Sequence, residues 1–413
     1  MKVVKKDNTK EPFNVQKVVI AVNKSAFRAL VKFTDEEIDF ICRFVQDEAR
    51  KMGKEEIEIS EMHNIVEGAL ERVNPKVAKS YRDYRNYKQD FVQMLDEVYK
   101  KSQSIMYIGD KENSNTDSAL VSTKRSLIFN QLNKELYKKF FLTTEELQAC
   151  RDGYIYIHDM SARRDTMNCC LFDVQSVLQG GFEMGNLWYN EPKTLDVAFD
   201  VIGDIVLSAA SQQYGGFTVP SADLILEPYA EKSYKYYIEK YKNIGLDEEK
   251  SKEIAIQDIQ RDFEQGFQGW EYKFNSVSSS RGDYPFITVT TGTGTGRFAK
   301  MASITMLNVR KNGQGKDGYK KPVLFPKIVF LYDKNLHGEG KPLEDVFEAG
   351  IECSSKTMYP DWLSLTGEGY VASIYKKYGK IVSPMGCRAF LSPWYEKGGM
   401  KPADENDVPV FVG

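Results

Sequence analysis

Residues 3–18 read VVKKDNTKEPFNVQKV. Two short charged runs, VVKK and KEPF, flank Asp7-Asn8-Thr9, and the pattern predicts a hairpin with its turn at Asp-Asn. The chain continues as NVQKVVIAVNKSAFRAL, where Val15, Val18, Val19, Val22, Ala26 and Phe27 share one helical stripe. Thr34-Asp-Glu-Glu37 is a capping-box pattern opening a second helix through about Met52. Ser60 is placed to cap a third helix with His63 in its first turn. Asn74-Pro75 starts a long Tyr-rich helix reaching about Tyr99. A strand cap followed by four helices makes a compact bundle, assigned to residues 1–97.

Residues 98–120 are polar and aperiodic, and are read as a linker. Beyond them the pattern is mixed. RSLIFNQLNKELYKKFF is helical, YIYIHDM and MNCCLFDV look like strands, and LDVAFDVIGDIVLSAASQQY is a long amphipathic helix. A further helical stretch runs to about Trp270. PFITVTT and PVLFPKIVFLYD then read as strands, VFEAGIECSSK as a helix, and YGKIVSPMGCRAFL as a short strand leading into a cysteine. Strands alternating with helices make residues 121–413 α/β.

Composition narrows the class. At 413 residues, 42% of them hydrophobic, with 24 Tyr and 23 Phe, the chain can build a large core. Lys+Arg 56 against Asp+Glu 59 gives a net charge of −3, so no basic field points to nucleic acid. MKVVKKDNTK is followed by no apolar run, and no stretch approaches the roughly 20 apolar residues of a membrane span. The expectation is a cytoplasmic protein. Six cysteines (Cys42, Cys150, Cys169, Cys170, Cys353 and Cys387) form no C-x-x-C, which predicts a reducing compartment and no metal site within this chain. TTGTGTGR at 290–297 is no nucleotide fingerprint: G-x-G-x-x-G would need glycine where Arg297 stands. It reads as a loop between strands, with a ligand loop as the alternative.

A charged hairpin is by itself commonly a solvated edge, and buried strand positions commonly hold free cysteines. The first hundred residues nevertheless resemble the ATP-cone, the adenine-nucleotide-sensing module of ribonucleotide reductases, with Lys5-Lys6-Asp7-Asn8 standing where the family has KRDG. The resemblance implies that Lys5, Lys6, Glu11, Asn14, Lys17 and His63 line a site for ATP or dATP, with Mg2+. Further on, YIHDM, NCCLFD, QGGFEMGN, QYGG, NSVSSSRGDYPF, FPK and PMGCRAFL follow in that order. Together they resemble the catalytic chain of the anaerobic, class III ribonucleoside-triphosphate reductases.

That resemblance implies part of a ten-stranded α/β barrel with a central cysteine loop. Cys387 would carry the thiyl radical, Cys169 would be the second active-site thiol, and Met385 would assist electron transfer. Ala389 stands two residues after Cys387, where related reductases carry glutamate, which fits formate as the external reductant. The family's second half-barrel, four-cysteine zinc site and radical-storing glycine have no counterpart in these 413 residues. The expectation is therefore a part of a longer or split protein, incomplete for catalysis alone. The resemblance also implies a ribonucleoside triphosphate substrate, a radical-SAM activase, and a homodimer or higher oligomer set by effector through the helices near 195–270. Two alternatives stay open: a nucleotide-sensing regulator built on a reductase scaffold, and another glycyl-radical enzyme such as a formate-lyase relative.

Overall fold

The computed structural model describes residues 1–5, 8–107, 119–163, 167, 169–279, 282–379, 381–385, 390 and 410–412, without side-chain detail at 87–90, 107, 378 and 410–412. Lys6 and Cys387 lie outside the described residues. The chain divides into two compact units, Met1–Lys100 and Lys101–Gly413.

In the first unit, β1 (Lys2–Val4) pairs antiparallel with β2 (Lys10–Pro12), and Asn8 takes the left-handed conformation the turn needs, with φ +63°. Helices α1 (Val15–Arg28) and α2 (Asp35–Lys51) follow. The Thr34 capping box forms as its spacing dictates: Glu37 N donates to Thr34 Oγ1 at 3.2 Å, and Thr34 N to Glu37 Oε2 at 2.8 Å. A third strand, β3 (Glu56–Glu58), absent from the sequence reading, pairs parallel with β1. It changes the next helix start: α3 (Ile59–Val73) is capped by Glu58 with Glu61, and Ser60 lies inside the first turn. Asn74 caps α4 (Pro75–Tyr107), which runs past the expected end at Tyr99. On α1 the buried stripe is Val18, Val22, Ala26 and Ala29, spaced by four, four and three. Phe27, one residue or about 100° off that stripe, is 80% exposed.

The second unit opens with α5 (Val121–Phe141) and α6 (Thr144–Arg151). The YIYIHDM segment then runs without strand pairing, contrary to expectation. Next come β4 (Cys170–Phe172), α7 (Val174–Leu178), the hairpin β5 (Phe182–Met184) and β6 (Leu187–Tyr189), α8 (Leu195–Gln212) and β7 (Phe217–Val219). The helical stretch beyond is two helices, α9 (Ala222–Asn243) and α10 (Glu248–Ser276). Gly245 at φ +95° ends the first, and the Asp247 side chain caps the second. β8 (Ile287–Thr291), α11 (Arg297–Asn312), β9 (Lys327–Tyr332), α12 (Glu344–Thr357), β10 (Asp361–Ser364), α13 (Tyr370–Tyr378) and β11 (Val410–Val412) complete the unit. Helix α11 is not expected from sequence; its buried face mixes Ser303, Thr305 and Arg310 with Phe298, Ala302 and Met306, which blurs the apolar periodicity. Residues 381–385, expected as a strand, pair with none.

The sheet order is β10-β9-β8-β7-β4-β11, parallel except for β11. This is an α/β fold around a parallel sheet. Alternation along the strands gives the sheet two characters. Cys170, Phe217, Val219, Ile287, Val289, Ile328 and Phe330 join the main core, which α8 to α12 supply with Phe199, Phe263, Trp270, Phe298 and Val346. The opposite face carries buried threonines, Thr218, Thr288 and Thr290. Threonine is shaped for a strand but brings a hydroxyl that burial makes costly without a partner.

Candidate functional site

In the first unit, Glu11 on β2 accepts ion pairs from both Lys5 and Lys17. Those bonds, Lys17 first, hold the Glu11 carboxyl below the usual range. Asn14 caps α1, its Oδ1 accepting from Gln16 N at 2.9 Å. His63 Nδ1 meets Tyr81 Oη at 2.6 Å, and burial pushes the Tyr81 hydroxyl up to about 12, which keeps it neutral. A cavity of about 700 Å³ opens between α1, α3 and α4, lined by Lys17, Lys24, Arg28, His63, Tyr84 and Arg85 among others. Arg28 stacks 4.1 Å from the Tyr84 ring centre and donates to Ser25 Oγ at 2.8 Å.

Of the residues inferred from sequence, this cavity brings together Lys17 and His63. Glu11 and Asn14 line a shallower hollow beside it, which Lys17 also borders. Lys5 is held by Glu11, and Lys6 is not described. Lys24, Arg28, Tyr84 and Arg85 escaped the sequence reading. A signal was available for two of them: Lys17, Lys24 and Arg28 recur at i, i+7 and i+11, one helical face. Several cations around one concavity, beside an aromatic ring, suit a polyanionic ligand that also carries a flat ring.

In the second unit the threonine face of the sheet borders Cys169 and carries segment 383–384. Cys169 precedes β4 and is buried, its Sγ accepting from Gly216 N at 3.2 Å. Cys170 turns into the helix-covered core and donates to Gln213 Oε1 at 2.8 Å, and burial raises its thiol to about 12. Cys42, Cys150 and Cys353 are free thiols elsewhere. Thr218 Oγ1 donates to Pro384 O at 3.0 Å, and Thr290 Oγ1 lies 3.3 Å from Ser383 Oγ. Residues 383 and 384 thus step from β8 to β7, toward the strand that follows Cys169. Met385 is buried at the end of that step.

The glycine-rich loop has an internal ligand. Asp223 Oδ2, at the start of α9, accepts from the backbone N–H of Gly292, Thr293 and Gly294 at 3.1, 3.1 and 2.8 Å. Burial pushes the Asp223 carboxyl up, and those N–H groups work against it. His337 Nε2 donates to Gly292 O at 2.7 Å from the other side. A Cβ at Gly294 would come within 2.4 Å of the Ala299 Cβ, so the close turn requires glycine there. Three of the loop's backbone donors are thus taken by a side chain of the chain itself. Among the described residues no group of three His, Cys, Asp or Glu could hold a metal ion.

The anaerobic ribonucleoside-triphosphate reductase family model matches residues 112–408, and the ATP cone domain model matches residues 1–90. The chain belongs to the anaerobic ribonucleoside-triphosphate reductase family. It is 31% identical over 410 residues to the anaerobic ribonucleoside-triphosphate reductase of Haemophilus influenzae, covering 96% of this chain and 56% of that one. The phage T4 reductase is 34% identical over 306 residues, covering 73% and 49%. The chain spans about half the length of the curated relatives it matches. Among solved structures, the anaerobic ribonucleotide reductase from Thermotoga maritima with glycerol in its active site overlaps 68% of this chain and 50% of that one. Its TM-score is 0.47 at 15% identity, an overlap too partial to carry geometry across. Among the described residues of this family member, no helix is long and apolar enough to cross a membrane.

Proposed function

We propose that the chain is the nucleotide-sensing region and the cysteine-bearing part of the barrel of an anaerobic ribonucleoside-triphosphate reductase. In this reading, residues 1–97 are the allosteric cone, 98–120 the linker, and 121–413 the first part of a ten-stranded barrel. The barrel reduces ribonucleoside triphosphates to 2′-deoxyribonucleoside triphosphates. One observation carries the catalytic half: Ser383 and Pro384, which precede Cys387 in sequence, are bonded through Thr290 and Thr218 to the sheet face that Cys169 borders. In this reading two thiols act on one ribose from opposite sides.

The chemistry follows from those positions. As a sulfur radical, Cys387 takes the hydrogen atom from C3′ of the ribose. The 2′ hydroxyl accepts a proton and leaves as water. Cys169 then delivers a hydrogen atom to the opposite face of the sugar at C2′. Formate, oxidised to carbon dioxide, supplies the two electrons and the hydrogen that restore the Cys169 thiol and reduce the sugar intermediate. Cys387 returns its hydrogen atom to C3′, which regenerates the sulfur radical. Met385, two residues before Cys387 in sequence, would assist electron transfer. A glycyl radical beyond these residues, installed by a radical-SAM activase, supplies the oxidation that makes Cys387 reactive. Structural zinc would belong to that same further part, and the described residues offer it no ligand cluster.

The cone would bind ATP or dATP with Mg2+ in the 700 Å³ cavity, with Lys17, His63 and the newly found Arg28 and Lys24 toward the phosphates. Lys5, Lys6, Glu11 and Asn14 would border it. Replacing Lys17 and Arg28 together with alanine removes two charge-assisted contacts of roughly 1.5–3 kcal/mol each. Calorimetry is expected to show dATP affinity falling at least about tenfold, since about 1.4 kcal/mol is a decade. Undiminished binding in the double variant would remove the cavity from consideration. The long helices α8, α9 and α10 would pair chain to chain, so light scattering should give a dimer or larger assembly that changes with dATP. A monomer both with and without dATP would count against that part of the reading.

A further inference from the structure

We propose that the Thr288 hydroxyl contacts substrate, hydrogen-bonding the sugar–phosphate edge of a nucleotide on the threonine face; this rests on the substrate site proposed above. Thr288, the second residue of β8, is fully buried, and its Oγ1 meets no protein partner among the described residues. A buried hydroxyl without a hydrogen bond costs on the order of 1–3 kcal/mol. Valine has nearly the same shape and would remove that cost, and valine does stand at the next position, Val289, facing the core.

The neighbours show what the hydroxyl faces. Thr218 is the register partner of Thr288 on β7, and Thr290 is the next residue on the same face of β8. Both use their hydroxyls on segment 383–384. Thr288 lies between them in the sheet and is bonded to neither. On its other side the register partner is Lys327 of β9, half-buried, its ammonium 4.1 Å from the Phe286 ring centre. A row that runs hydroxyl, hydroxyl, ammonium fits the polar edge of a sugar carrying phosphates. Segment 383–384, which precedes Cys387, is bonded to Thr218 and Thr290, the two hydroxyls that flank Thr288.

The test compares Thr288→Val and Thr288→Ser in the 413-residue chain already carrying Lys17→Ala and Arg28→Ala, so that the cone cavity does not take up the probe, with CTP and GTP followed by equilibrium dialysis, and melting followed without nucleotide. Thr288→Val is expected to bind about tenfold more weakly while melting at the same temperature or higher. Thr288→Ser, which keeps the hydroxyl, should bind within about twofold of the chain that keeps Thr288. Equal binding by Thr288→Val overturns the proposal and leaves the substrate site standing. A serine variant as weak as the valine variant overturns it too, because shape and not the hydroxyl would then matter. A lower melting temperature for Thr288→Val would mark the hydroxyl as structural and would likewise overturn the proposal. If the chain that keeps Thr288 binds neither CTP nor GTP, the substrate-site reading fails and this proposal with it.

Discussion

Cys387→Ser is expected to abolish ribonucleotide reduction in the enzyme completed with its C-terminal part and activated under strict anaerobiosis. Melting temperature and nucleotide binding should stay nearly unchanged. The reason is bond strength: a glycyl radical can open an S–H bond, whereas the O–H bond of serine is too strong for it. A structural cysteine makes the opposite forecast. Packed on all sides, it would lose stability on gaining an unpartnered hydroxyl, while the reaction continued at a reduced level. The segment before it, Ser383 and Pro384, is tied to the sheet by Thr290 and Thr218. Substantial turnover by the serine variant would overturn the catalytic reading.

The largest stability effect is expected at Arg310 and Glu271. Arg310 on α11 is fully buried; its Nε donates to Glu271 Oε1 at 2.7 Å and its second terminal nitrogen to Pro326 O at 2.6 Å. Gln314 donates to the other Glu271 oxygen at 2.6 Å. The pair ties α10, α11 and the approach to β9 together. Removing one partner leaves a buried charge without its counter-charge, so Glu271→Leu alone or Arg310→Met alone should cost about 3–5 kcal/mol. The double variant should recover most of the loss, because two buried charges replaced by apolar groups no longer carry a desolvation penalty. Urea denaturation of the four proteins checks this. Additive losses in the double variant would show that packing, and not the charge pair, sets the cost.

Local chemistry was legible because its causes lie within a few residues. The Thr34–Glu37 box, the Asn74-Pro75 start and the left-handed Asn8 turn depend on neighbours at fixed spacing, and each forms. Ser60 failed as a cap because β3 pairs with β1, more than fifty residues away in sequence, and pushes the helix start to Glu58. YIYIHDM looked like a strand by alternation alone, yet no neighbouring strand pairs with it.

By itself, the sequence determined membership of the reductase family, the order of strands and helices in outline, and the candidate cysteines, since motifs and periodicity are properties of the chain. Which residues meet was decided only by the tertiary structure. Lys24, Arg28 and Arg85 become one cavity wall because α1 packs against α4. The backbone donors of Gly292, Thr293 and Gly294 are engaged because α9 brings Asp223, some seventy residues earlier, under them. Threonines on β7 and β8 face the cysteine segment because the apolar residues alternating with them are drawn into the helix-covered core. Hydrophobic burial chose the face, and that choice left the hydroxyls on the side where the chemistry is proposed.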